Sequence, residues 1–146
     1  MRRLSISILC SALLICFASV AEAKGTVRVQ QSDGSIQVYQ NVSLVIVNHT
    51  LRITTEDGKG TLVVTRAACS FEGDLMRCLP DQLQLIQGGT ESMLDFQQGT
   101  LYWNKTGTKQ QLSASSTQVP PNGVLGLLTT KKGTIIAISG VVDESK

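Results

Sequence analysis

Reactive side chains are scarce in this chain. One histidine, His49, and one tryptophan, Trp103, serve all 146 residues, and aromatic residues make up only 4%. A catalytic triad, a Cys–His nucleophile or a His-rich zinc site would have to draw on that single imidazole. Charge of one sign is equally sparse, because no run of like charges is longer than a pair such as Lys131-Lys132. A nucleic-acid-binding surface therefore lacks its electrostatic footprint, and no nucleic-acid partner is expected. The sequence holds no Gly-rich phosphate loop, dinucleotide fingerprint or metal-ligand cluster, so neither a cofactor nor a metal is expected. Apolar residues nowhere recur at helical spacing across three turns, which excludes a helical bundle.

What is present begins with an address. Arg2 and Arg3 precede an apolar and small-residue run, Leu4 to Val20, and Ala21-Glu22-Ala23 supplies the small-x-small pattern that signal peptidase cuts after. That layout predicts a cleaved secretory signal peptide over residues 1–23. The expected product is a secreted or periplasmic chain, residues 24–146, that is not an integral membrane protein after cleavage. Removing Arg2, Arg3 and Glu22 from 13 basic and 11 acidic side chains leaves the mature chain with one net positive charge. Its length suits a single domain that can bury enough surface to fold without a metal. Cys10 and Cys16 depart with the leader. Cys69 and Cys78 remain, and in an oxidising compartment a disulfide is their default state.

The mature chain reads as short runs of Val, Ile, Leu and Thr broken by turn residues every eight to twelve positions, the spacing of antiparallel β structure. A two-residue turn at Asp33-Gly34 would pair Val29 with Val38 and place Val27, Val29, Ile36 and Val38 on one face. Turns at Asn48-His49 and Asp57-Gly58 pair Ile46 with Leu51, Leu44 with Ile53, Ile53 with Leu62 and Leu51 with Val64. Both registers put Leu51 and Ile53 on the same face, so Val42 to Val64 reads as a three-stranded meander with one apolar side. Apolar parity is even at Leu62 and Val64 but odd at Cys69 and Phe71, which requires a bulge or bend between Thr65 and Ala68. The expected fold is all-β. It is a single-domain antiparallel β-sandwich or flattened β-barrel of ten or so strands, built from hairpins and meanders, with a short polar tail at about 143–146.

Few residues could carry chemistry. A turn at Gly73-Asp74 sets Cys69 opposite Cys78 at a non-hydrogen-bonded site, where Cα atoms lie about 4.5 Å apart, close enough for a disulfide. His49 falls in a turn. Asp33, Asp57 and Asp74 do as well, where Asp relieves a strained bend by bonding the local backbone. Glu72, Glu91 and Asp95 are left as candidates for an acid–base pair. Tyr102 and Trp103 are the candidate binding aromatics; as neighbours on a strand they point to opposite faces. Asn41-Val-Ser43, Asn48-His-Thr50 and Asn104-Lys-Thr106 are glycosylation sequons, meaningful in a eukaryotic source.

The stretch Trp103-Asn104-Lys105-Thr106-Gly107 is one residue longer than the Trp-x-Lys-Gly stretch of periplasmic C-type lysozyme inhibitors, whose Ser-Gly-x-x-Tyr loop is absent here. The strand-rich layout is similar to that of periplasmic jelly-roll lipopolysaccharide carriers in architecture but shares no motif. Fold analogy does not transfer function, and no residue roles are carried over from either family. The sequence predicts an exported, non-catalytic β-domain acting as a binding or structural module whose partner is a protein, a polysaccharide or a lipid. Two alternatives stay open: a carrier of an apolar, lipid-like ligand between its sheets, and a hydrolase using Glu91 or Asp95.

Overall fold

Antiparallel pairing runs all the way round the molecule until the last strand meets the first. A computed structural model describes residues 24–112 and 116–143; the leader, residues 1–23, and the end of the tail lie outside the described residues. The strands are β1 (Lys24–Gln30), β2 (Ile36–Val47), β3 (Thr50–Thr54), β4 (Gly60–Glu72), β5 (Leu75–Gln87), β6 (Thr90–Leu94), β7 (Phe96–Asn104), β8 (Gln110–Gln111), β9 (Gln118–Val119), β10 (Gly123–Thr130) and β11 (Ile135–Val141). Eight of them close a barrel in the order β4-β3-β2-β1-β11-β10-β7-β5, with β5 returning to β4. β6 extends the sheet beside β5, and β8 and β9 form a separate ribbon. Of the two architectures the sequence allowed, the barrel is the one formed, and it is an up-and-down meander, which leaves no open sheet edge between first and last strands.

The meander at Val42 to Val64 has the expected register: Leu44 faces Ile53, Ile46 faces Leu51, Ile53 faces Leu62 and Leu51 faces Val64. The first hairpin differs by one residue. Val29 pairs with Gln37 and Arg28 with Val38, so Ile36 and Val38 point outward, 50% and 48% exposed. The cause is the loop. Gln31 N donates to Ser35 O, Gly34 N donates to Gln31 O, and Gly34 has φ 92. That is a three-residue connection ending in a left-handed glycine, one residue longer than a two-residue turn. β2 regains the inward parity of Val42, Leu44 and Ile46 through a bulge at Asn41, which has φ 58 and no partner between Thr26↔Gln40 and Gly25↔Val42. The β10–β11 connection repeats the first loop, with Thr130 N donating to Thr134 O and Gly133 at φ 92.

β4 carries the predicted irregularity. Its register with β5 shifts between Thr65 and Arg66 and again between Arg66 and Ala68, opposite Pro80, a residue with no N–H to give a ladder. Beyond the shift Cys69 faces Cys78 as expected, and the two form a disulfide with Cα atoms 4.1 Å apart. Closing so short a loop contributes about 2–3 kcal/mol by chain entropy. The β4–β5 hairpin continues past the end of β3, whose last pair is Thr50↔Thr65, so Phe71 on the disulfide's face is 67% exposed.

The core is the inside of the barrel. Val27, Val42, Leu44, Leu51, Ile53, Leu62, Val64, Leu83, Leu101, Leu128, Ile136 and Ile138 form one buried cluster. The outward rows are mixed: polar on some strands, as with Arg28 and Gln30 on β1, Arg52 and Thr54 on β3, and Gln82 and Gln84 on β5, and apolar on others, as with Ile36, Val38 and Val47 on β2, Leu127 on β10 and Ile135 on β11. The packed apolar interior differs from the polar lumen of a membrane-spanning barrel. Among the described residues no helix is long and apolar enough to cross a membrane.

Candidate functional site: the open end of the barrel

The turns of an up-and-down barrel alternate between its two ends, and here the ends differ. At one end lie the β2–β3 turn, the β4–β5 hairpin tip and the long connection from β7 to β10. This end is closed. Trp103 points inward, only 7% exposed, with the Arg66 guanidinium carbon 5.8 Å and the Lys105 Nζ 5.0 Å from its ring centre. Its indole N–H donates to Asn122 Oδ1 at 3.3 Å, and Asn122 Nδ2 donates to Val142 O at 2.8 Å. Arg66 also donates to Asn48 O and, at 3.7 Å, to Cys78 Sγ. Burial holds the Arg66 pKa below its ordinary value.

The connection over this end is pinned by one side chain. Asn104 is fully buried, and the two hydrogens of its Nδ2 are shared among the carbonyls of Thr108, Val119 and Pro120 at 2.8 to 3.0 Å. Its Oδ1 accepts from the backbone N–H and hydroxyl of Thr106 at 2.9 and 2.7 Å. In the sequence Asn104 stood out as the start of a sequon and as part of the Trp103 to Gly107 stretch, with no structural role read for it. In the folded chain its amide nitrogen is enclosed and engaged, so the sequon has no free acceptor there, whereas Asn41 and Asn48 are exposed at positive φ.

The other end, with the β1–β2, β3–β4, β5–β6 and β10–β11 turns, opens into a cavity of 420 Å³. That volume falls within the range of about 300–1,000 Å³ typical of small-molecule sites. Val27, Val29, Val42, Ile53, Leu62 and Ile136 are among the residues that give it apolar walls, joined on the β5–β6 side by Leu85 and Leu94. Polar residues ring the entrance: Gln31, Gln37, Thr55, Gln87, Thr130 and Thr134, with Tyr39 between rim and wall. Asp95 and Lys132 are the two charged lining residues, on segments joined by Lys131 N donating to Asp95 O at 2.7 Å. Thr134 Oγ1 donates to Gln31 Oε1 at 3.0 Å, tying the β10–β11 loop to the β1–β2 loop. The cavity reaches the mouth partly because Gln37, rather than Val38, takes the inward position opposite Val29.

The wall beside this mouth has a seam. β5 pairs with β7 only over Leu75–Cys78, and with β6 only over Leu83–Gln87. β6 and β7 run on in the same direction, and the two registers differ by two residues across Asp95. Among the described strands, residues 79–82 of β5 therefore have no partner on that side.

The sequence-derived candidates scatter over this architecture. Tyr102 is half-buried on the outer face, between Arg77 and Leu125, while Trp103 lies in the closed end. Glu91 faces outward opposite Ile86 and accepts from Gln84 Nε2 at 2.9 Å, whereas Asp95 lines the mouth. Glu72 is at the β4–β5 tip and His49 is in the β2–β3 turn, both at the far end from the cavity. Asp33 and Asp57 sit in turns, where Ser35 and Thr55 respectively donate to their carboxylates and hold both pKa values below the ordinary one. Among the described residues no three His, Cys, Asp or Glu side chains cluster as metal ligands would. The cavity was not located from the sequence. Its signal was there: Gln31, Thr55, Gln87, Thr130 and Thr134 are polar residues beside alternate turns, all belonging to one end of a meander.

Comparison of the chain with known protein families, with curated proteins and with solved structures finds no match.

Proposed function

We propose that this chain is an exported, non-catalytic binding protein that holds a small apolar molecule in the open end of its barrel. The observation that carries the proposal is the 420 Å³ cavity with apolar walls and a polar rim. An eight-stranded barrel is just wide enough to hold one small ligand inside. Each methylene moved from water into such a wall gains about 0.8 kcal/mol, so a chain of about eight contributes roughly 6 kcal/mol before the cost of immobilising it. The carrier reading is thereby favoured over contact through an outer sheet face, and over a hydrolase that would need Glu91 and Asp95 in one cleft.

Two measurements test it. Val29→Trp places an indole among the cavity walls from a half-buried position. The variant is expected to bind the uncharged fluorophore 1-aminoanthracene about tenfold more weakly than the parent, with an unchanged unfolding midpoint. Equal binding by parent and variant, or none by the parent, would remove the cavity from the function. For export, N-terminal sequencing of protein from the producing organism is expected to begin at Lys24, and retained Met1 would contradict the leader.

A further inference from the structure

We infer that the mouth selects an amphiphile whose head is uncharged and rich in hydroxyls, carried on an apolar chain. The inference rests on the barrel end being the binding site and names what the site prefers there. The walls are apolar through Val27, Val42, Leu62 and Ile136, so selection among equally apolar tails falls to the rim. The Gln37 and Gln87 amides and the Tyr39 hydroxyl line the mouth, and none has a hydrogen-bond partner among the described residues. Each of these groups both donates and accepts, as a sugar hydroxyl does. Gln31 is oriented by accepting from Thr134 Oγ1, which leaves its amide N–H groups for a ligand.

Charge argues in the same direction. The rim carries one anion, Asp95, and one cation, Lys132, on adjoining segments. A carboxylate head would gain from Lys132 and lose to Asp95, and a quaternary ammonium head the reverse. Either ion would also give up hydration at an entrance whose remaining groups are neutral, and dehydrating an ion without a dedicated partner is costly. A polyhydroxyl head meets neither penalty and matches the amides one for one.

The test uses the full mature chain and three amphiphiles of equal chain length, octyl β-glucoside, octanoate and octyltrimethylammonium, each below its self-association concentration. Each is titrated against bound 1-aminoanthracene at pH 7. The glucoside is expected to displace the fluorophore at about one-tenth the concentration of either ion, the worth of one well-made hydrogen bond. If octanoate or the ammonium compound displaces it as well or better, the head-group inference fails while the cavity reading stands. If the fluorophore does not bind at all, the cavity reading fails with it. Gln37→Leu and Gln87→Leu, at exposed rim positions, are expected to weaken glucoside binding about tenfold relative to octanoate, each corrected for the variant's own fluorophore affinity. A parallel fall in both would show that these side chains only shape the cavity, and would overturn their role in reading the head.

Discussion

Gly140→Val is expected to destabilise the barrel by about 4 kcal/mol or more, a large share of the 5–15 kcal/mol that holds a domain together. Gly140 pairs with Gly25 at the junction of the last and first strands. A Cβ on Gly140 would lie 2.4 Å from the Cα of Gly25 and 2.8 Å from both Lys24 O and Leu44 Cδ1. Two of those atoms are backbone and cannot swing away. Gly140 also has φ 153, which side-chain-bearing residues rarely adopt. Steric overlap and backbone strain therefore add at one residue, and both act on the strand pair that closes the ring. Denaturant unfolding followed by the fluorescence of Trp103 reads the loss. Gly107→Val is the control, because a Cβ there meets nothing within 4 Å. Equal stability of the Gly140→Val and parent chains would mean that the first and last strands do not approach as closely as described.

Asn104→Ala should come next in magnitude, at about 3 kcal/mol. The change removes a fully buried side chain whose amide hydrogens are shared among three carbonyls and whose oxygen accepts two bonds from Thr106. Each bond is worth about 1 kcal/mol net, and carbonyls left buried without a donor cost more. The loss should be regional before it is global. The ribbon of β8 and β9 belongs to the same connection, so amide hydrogens of Thr106 to Leu112 and of Gln118 and Val119 are expected to exchange faster in the variant while those of β2 and β3 keep their protection. Uniform loss of protection would place Asn104 in the general core instead. Asn104→Asp is a sharper version: its shape is nearly unchanged, but an acceptor faces three carbonyls where a donor stood.

The parts of the fold that could be read from the sequence were those fixed by local rules with two witnesses. The meander from Val42 to Val64 was constrained by two turns that shared Leu51 and Ile53, and both turns kept the register of a two-residue loop. The parity change after Val64 had no solution other than an irregular strand, and the shifts at Arg66 supply it. The first hairpin had one witness only. Asp33-Gly34 is compatible with two-residue and three-residue loops, and Val38 was drawn inward because it is apolar. Arg28 and Ala137 occupy the same outward row, so β1 as a whole decides the side on which Val38 lies. Closure into a barrel was beyond local reading, since the β1–β11 pairing depends on how far the sheet twists across six intervening strands. The cavity is a product of that closure. Asn104 was missed for another reason: a buried amide that organises a loop has the same sequence neighbourhood as a surface one, and only the carbonyls of Val119 and Pro120, brought from elsewhere, distinguish them.

The pairing of β1 with β11 also sets a schedule. Seven of the eight barrel seams join barrel strands that come next in chain order, with at most β6 or the β8–β9 ribbon between them, but the eighth joins the first strand to the last. A ribosome delivers β1 first and β11 last. Throughout synthesis β1 can pair with β2 on one side, while its other edge, Gly25 to Gln30, presents unpaired backbone groups until the final strand arrives. Contacts of such long sequence separation are also the slowest to form. Until that last strand is delivered, the free edge of β1 can pair with the edge of another copy, which makes the β1–β11 seam the point of this barrel most open to mispairing.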